Sequence, residues 1–269
     1  MFIMSKYLFD YLEDFYEFKN DSTSTILTDI DGTISEIAAT PEEAVVTPSM
    51  KMELSKLREK FQMVGVISGR SVQNAKTMVG VDGIFYVGNH GMEYLKDGEI
   101  FIDPEALKYL ADIKKNAEKL KNSELSKIKG LMFEDKGICI SIHYRKCELQ
   151  GTIHKRIMDV INDSIDTSEL KLTEGRKLVE LKPPISRDKG FIVEKIIEKY
   201  DLKRVIYLGD DVTDFDAFTK LKELEKKGKI RTASILVLSS EIPDYVKNSS
   251  LYYGKSVDEV QRFFKWLLK

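Results

Sequence analysis

The stretch "TILTDIDGTI", Thr25 to Ile34, decides how the chain is read, because a run otherwise suited to a buried strand ends on two carboxylates, Asp29 and Asp31. In an extended segment residues i and i+2 point the same way, so the two acids project together beyond the carboxyl end of the strand. In a parallel sheet that edge is where ligands bind. Gly32 allows a sharp turn there and a close approach of backbone to ligand. Two carboxylates this close raise one pKa unless a cation compensates them, and Mg²⁺ suits oxygen ligands beside a phosphate. A strand end followed by an Asp-Gly turn accounts for Gly32 but not for the paired acids.

Outward from this stretch, short β-rich runs alternate with amphipathic helical patterns: "STILTDI", a helix through "SMKMELSKLREKF", "QMVGVIS", a helix from Ser71, then "GIFYVGN". The same texture returns after Pro184 with a helix "KGFIVEKIIEKY", a strand "RVIYLGD", a helix from about Thr213, strands "ASILVL" and "SLYY", and a closing helix "SVDEVQRFFKWLL". Ser256 and Glu259 of that last helix fit a capping box. Such alternation predicts an α/β fold with a Rossmann-like, doubly wound parallel sheet. Between the halves, "PEALKYLADIKKNAEKLK" reads as a helix and "GLMFEDKGICISIHYR" as a hairpin turning at Asp135 to Gly137. "LQGTIHKRIMDVIN" is a second helix and "LKLTEGRKLVELKP" a second hairpin turning near Gly175. The expected organisation is an αββαββ domain, residues 104–182, inserted into a core formed by 1–103 and 183–269.

At 269 residues the chain is long for one domain, which agrees with a core plus an insert. It is 42% hydrophobic and 32% charged, with a formal net charge of −2 and no block of like charge, so neither a nucleic acid nor a membrane surface is an expected partner. Cys139 and Cys147 are too few for a disulfide framework and lack metal-ligand spacing, which points to a reducing compartment. The apolar N-terminus is interrupted by Asp10, Glu13 and Asp14, and no small-residue cleavage site follows. Leu8, Leu12, Phe15 and Phe18 instead recur at helical spacing, predicting an N-terminal helix. No run approaches the ~18 apolar residues that span a bilayer. The expected location is cytoplasmic.

Three further segments carry chemistry. In "VISGRS" Ser68 stands at a strand end with a helix starting just after it, so its hydroxyl and the neighbouring N–H groups can bind phosphate, with Gly69 and Arg70 in the same turn. In "SRDKGFIVEKII" Lys189 sits in the first turn of a helix, where the dipole disfavours a cation, so a nearby anionic centre is expected. In "YLGDDVTDFDAF" Asp210, Asp211, Asp214 and Asp216 crowd a strand end and the helix after it. Acids are favourable at a helix N-terminus, which suffices for Asp216 as first-turn charge, but two adjacent acids directly after a buried strand ask for another role.

D-x-D-G-T after a buried strand, with these three segments in order, resembles the haloacid dehalogenase superfamily of phosphotransferases. The split of the motifs around an α/β insert is similar to its capped sugar-phosphate phosphatases, most of all the trehalose-6-phosphate phosphatases. The residues that carry this are "GNHGME" (88–93), "FEDKGICISIHYR" (133–145), "GRKLVELKP" (175–183), "DKG" (188–190) and "GDDVTDFDAF" (209–218). Phe215 departs from the family, which usually has an acid there.

The resemblance implies a Mg²⁺-dependent phosphatase in which Asp29 is the nucleophile, Asp31 the general acid and base, and Ser68 and Lys189 bind the phosphoryl group. Asp29, Asp31 and Asp210 are the implied metal ligands, supported by Asp211 and Asp214. Asn89 and His90 would face the cleft from the core side, with a structural role for His90 also open. Glu134, Lys136 and Glu180 would contact the sugar, while His143 and Arg145, on one strand face, are candidates for supporting the insert. The implied substrate is trehalose 6-phosphate, and any trehalose-phosphate synthase partner is a separate chain. Rival readings are a phosphatase for sucrose phosphate, mannosyl-3-phosphoglycerate or glucosylglycerol phosphate, a phosphomutase, and a non-catalytic regulatory module.

Overall fold

The computed structural model describes residues 5–239, 242, 246 and 250–269. The chain divides into two compact units. The larger takes Met1–Ile37, Ala44–Phe101 and Arg187–Lys269, and the smaller takes Ala38–Glu43 with Ile102–Ser186.

The larger unit is built on a sheet of β1 (Lys6–Tyr7), β2 (Ser24–Thr28), β3 (Met63–Ile67), β4 (Phe85–Gly88), β5 (Glu93–Lys96), β6 (Glu99–Ile102), β11 (Arg204–Gly209), β12 (Arg231–Val237) and β13 (Tyr252–Gly254), in the order β1-β13-β12-β11-β2-β3-β4-β5-β6. Every pairing from β1 to β4 is parallel, and β5 turns antiparallel against β4. β2 is buried along its whole length because it lies mid-sheet with side chains packed on both faces. Ile26 points into one apolar cluster with Met50, Leu54 and Leu57 of α2 (Pro48–Lys60), Val72 and Val79 of α3 (Val72–Val79), and Val260, Phe263 and Phe264 of α9 (Val257–Leu268). Leu27 points into the other, with Val193, Ile196 and Ile197 of α7 (Lys189–Tyr200) and Ala217, Phe218 and Leu221 of α8 (Val212–Lys226). The period-two alternation of the strand thus fixes a helix layer on each face.

The smaller unit packs α5 (Leu110–Lys121) and α6 (Gln150–Ser164) on one face of an antiparallel sheet of β7 (Met132–Asp135), β8 (Ile140–His143), β9 (Lys171–Gly175) and β10 (Leu178–Lys182), ordered β7-β8-β10-β9. Ile113 and Leu120 meet Ile157 and Ile161 over Ile140, Ile142, Val179 and Leu181. The alternate residues, Glu134, Ser141, Glu180 and Thr173, form one cross-strand row on the opposite face.

Some expectations change. The apolar residues Leu8 to Phe18 do not form one helix: β1 is followed by two 3₁₀ turns, Leu8–Asp10 and Leu12–Phe15, and the one-turn α1 (Tyr16–Lys19). Tertiary partners override the helical spacing, since Lys6 and Tyr7 pair with Tyr252 and Tyr253, and Asp14 accepts from Tyr252 Oη at 2.7 Å. The first helix of the insert breaks into α4 (Pro104–Leu107) and α5. At α9, Ser256 Oγ accepts from the Glu259 N–H, but the Glu259 carboxylate accepts from Lys255 N–H and Tyr7 Oη rather than closing the expected box.

Candidate active site

Register places the functional side chains. Leu208 of β11, Thr28 of β2 and Val66 of β3 are neighbours, so Asp210, Asp29 and Ser68 leave three adjacent strands at the same carboxyl edge. Two glycines bring them close. A Cβ on Gly32, whose φ is +76°, would lie 1.9 Å from Asp210 Oδ2, and one on Gly209 would lie 2.2 Å from Asp214 Cγ. Neither position tolerates a side chain.

Lys189, 0% exposed, is the centre of charge. Its Nζ donates to Asp29 Oδ2 at 2.6 Å and to Asp214 Oδ1 at 2.8 Å. Burial disfavours its ammonium, but Asp214 and Asp29 outweigh that and hold its pKa above the ordinary lysine value. Asp29 itself is pushed up to about 7, chiefly by burial, with Lys189 opposing and Asp214 and Asp31 adding to the rise. Its backbone N–H donates to Leu208 O, and its Oδ1 accepts from the Ile30 N–H at 2.7 Å, which fixes the rotamer. Asp214 is 0% exposed and accepts four hydrogen bonds: Lys189 and Tyr207 Oη on Oδ1, and the Asp210 and Asp211 N–H groups on Oδ2. Asp211 caps α8, accepting from the Val212 N–H at 2.6 Å, in a capping box with Asp214.

Asp31 and Arg70 form a fork pair, Nε to Oδ2 at 2.7 Å and a second guanidinium nitrogen to Oδ1 at 2.8 Å, while Arg70 also donates to Asn74 Oδ1 at 2.8 Å. Ser68 is buried, and its Oγ accepts from the Arg70 N–H. The His90 ring covers Gly69, leaving 2.6 Å between its Cε1 and a Cβ placed there. Asn89 Nδ2 donates to Glu93 at 2.9 Å. In the smaller unit Lys136 Nζ donates to Glu180 Oε1 at 2.9 Å, Ser141 Oγ donates to the same oxygen at 2.9 Å, and His143 Nε2 lies 2.8 Å from Glu134 Oε2. Glu180 and Lys136 are nearly inaccessible, and their attraction raises the lysine pKa against the effect of burial. Arg145 lies outside β8 and donates to Arg176 O.

The family model for trehalose-phosphatase matches residues 27–256. The chain belongs to the trehalose-phosphatase family. It is 30% identical over 258 residues to trehalose-phosphate phosphatase B of Arabidopsis thaliana, covering 90% of this chain and 65% of that protein. It is 32% identical over 198 residues to a trehalose-phosphate phosphatase of Mycobacterium marinum, covering 72% of this chain and 50% of that protein. The chain therefore spans less than two thirds of the length of either. In fold it matches the C-terminal domain of a Candida albicans trehalose-6-phosphate phosphatase, with a TM-score of 0.80, 20% identity and 98% of both chains covered.

A divalent metal, which the family implies, fits the donor set. Asp29, Asp210 and Asp214 place carboxylate oxygens within 4.8 Å of one another. Asp214 is the poorest ligand of the three, since its four accepted hydrogen bonds already occupy the lone-pair sites of both oxygens. Asp29 and Asp210 are the better pair. Asp31, also expected among the ligands, turns its carboxylate to Arg70, and of the two supporting acids Asp214 holds Lys189 while Asp211 caps a helix. Asp216 is half-buried on α8.

Proposed function

We infer that the protein hydrolyses trehalose 6-phosphate to trehalose and inorganic phosphate, the last step of trehalose synthesis, with Mg²⁺ as cofactor. The observation that carries the reading is the buried Lys189 ammonium between Asp29 and Asp214: it offsets the burial of a strand-end carboxylate and keeps that carboxylate usable as a nucleophile. Family membership supplies the substrate class.

Asp29 attacks phosphorus in line, and the bond from phosphorus to the sugar oxygen breaks as the aspartyl-phosphate forms. Asp31 gives a proton to the departing sugar oxygen, then takes one from the water that cleaves the acyl-phosphate, so the Arg70 fork that closes on both its oxygens must release one of them as substrate binds and a proton is taken up. Ser68, Gly69 and Lys189 hold the phosphoryl oxygens. Asp29 and Asp210 would hold a divalent cation, which would supply further neutralisation of phosphoryl charge. Glu134, Lys136 and Glu180 read sugar hydroxyls, to which carboxylates accept and an ammonium donates.

The test is phosphate release with Mg²⁺ from trehalose 6-phosphate, sucrose 6-phosphate, glucose 6-phosphate and mannosyl-3-phosphoglycerate. Trehalose 6-phosphate should give the highest kcat/KM. Preference for another sugar overturns the substrate, and an isomerised phosphosugar without free phosphate overturns the reaction type.

A further inference from the structure

Glu93 is a buried carboxylate that the chemistry above does not use. It opens β5 opposite Gly88, and its Oε1 accepts from the backbone N–H of Val72, the first residue of α3, and from Asn89 Nδ2 at 2.9 Å. Only glycine at position 88 permits this reach, since a Cβ there would lie 2.2 Å from Val72 N and 2.7 Å from Glu93 Oε1. An acid at this helix start is favoured by the dipole and satisfies an N–H that the helix cannot, beside the Ser71 side chain that accepts from the Asn74 N–H.

The same carboxylate fixes a strained loop. Asn89, His90 and Gly91 are consecutive left-handed residues, with φ of 48°, 57° and 107°. Two non-glycine residues in that region persist only where their surroundings over-determine them. Here the loop lies against the phosphate-binding turn: Ser68 N–H donates to Val87 O, His90 N–H to Ser68 O and Asn89 N–H to Arg70 O, while the His90 ring lies on Gly69. Glu93 ties one side chain of the strained loop to the helix start that follows Ser68, so it acts on both sides of the turn at once.

We propose that Glu93 is a positioning residue for phosphate binding: through the Val72 N–H and Asn89 it sets the Ser68–Arg70 turn, and Asn89 and His90 buttress that turn rather than reading the sugar. The proposal rests on the phosphatase reading and deepens it. Since the turn would grip phosphate in substrate and product alike, loss of Glu93 acts on binding of both, whatever the sugar.

The experiment measures inorganic phosphate binding by calorimetry with Mg²⁺, and KM and kcat for trehalose 6-phosphate and p-nitrophenyl phosphate, for the wild type, Glu93→Ala and Glu93→Gln. Glu93→Ala should raise the phosphate Kd and both KM values together by about 10- to 100-fold, the scale of one charged hydrogen-bonding group lost from a buried site. Glu93→Gln keeps a carbonyl acceptor at Oε1 and should recover most of the loss. Tyr86→Phe, which removes the buried hydrogen bond from a β4 side chain to Val81 O in the loop before that strand, controls for lost stability and should leave phosphate binding unchanged. Unchanged phosphate Kd in Glu93→Ala overturns the proposal, as do parallel losses in Tyr86→Phe. Should Glu93→Ala fail to fold, Asn89→Ala, which removes the side chain that Glu93 holds in the loop, takes its place, and an unchanged phosphate Kd in that variant would also overturn it. Wild-type protein that binds phosphate but leaves trehalose 6-phosphate intact overturns the substrate reading alone, and the comparison of phosphate affinities then decides for or against Glu93.

Discussion

Replacing Lys189 by Met keeps the length of the side chain and removes its charge from a position 0% exposed. Two hydrogen bonds to carboxylates are lost, at 2.6 and 2.8 Å. At about 1.5–3 kcal/mol for each charge-assisted bond, the loss is about 3–6 kcal/mol, the range expected when one partner of a buried ion pair is removed. Tm of the metal-free protein should fall by about 6–20 °C, read by circular dichroism. Asp29, without its cation, should take up a proton more readily, so turnover should be lost with trehalose 6-phosphate and with p-nitrophenyl phosphate alike. Adding Asp214→Asn to Lys189→Met removes one of the uncompensated charges and should restore part of the stability but none of the activity. A Lys189→Met protein with wild-type Tm, or with more than about a tenth of wild-type turnover, would refute the reasoning.

Three further outcomes are expected. Asp29→Asn should abolish turnover while far-ultraviolet circular dichroism and sugar-phosphate binding stay close to wild type; retained activity would remove the nucleophile. In metal-free protein Asp29 binds its proton more tightly folded, at about 7, than at its ordinary value of 3.8, so the stability it contributes is complete below about pH 4 and is lost as pH rises through about 7. Urea unfolding across that window should show a fall that Asp29→Asn flattens, and a rise attributable to Asp29 would contradict the assignment. Ala at Glu134, Lys136 or Glu180 should each lower kcat/KM for trehalose 6-phosphate by about 1–3 kcal/mol and leave p-nitrophenyl phosphate hydrolysis nearly unchanged. Equal losses on both substrates would mean that these residues support the fold or the chemistry.

The parts of the site that are legible in the sequence are those set by local pattern. Asp29, Ser68 and Asp210 each follow a β-rich apolar run, and parallel strands bring such ends to one edge whatever the rest of the chain does. Lys189 is legible through its conflict with the helix dipole, and Asp29 and Asp214 are the anions that resolve it. What pattern could not give is pairing across the fold. The Asp31–Arg70 fork joins residues 39 apart in sequence. Glu93 ends the GNHGME segment, but its role depends on Gly88 opening a path to α3. The β5–β6 hairpin carried a turn signal, Asp97–Gly98, that could have located it. The N-terminal segment shows the reverse failure, with helical spacing at Leu8, Leu12, Phe15 and Phe18 overruled by β1 pairing and by aromatic packing of Phe15 against Tyr252 and Phe263 at 4.7 and 4.9 Å.

The central claim is that phosphorus passes through Asp29 on its way from trehalose 6-phosphate to water. Rapid quenching of enzyme, Mg²⁺ and trehalose 6-phosphate labelled at phosphorus, followed by acid digestion and peptide mapping, tests it directly. The label should appear transiently on the peptide containing Asp29, at a rate no slower than turnover, accumulate there in Asp31→Asn, and be absent in Asp29→Asn. Label released as inorganic phosphate with none ever on Asp29, or returned to a different sugar position, would contradict it.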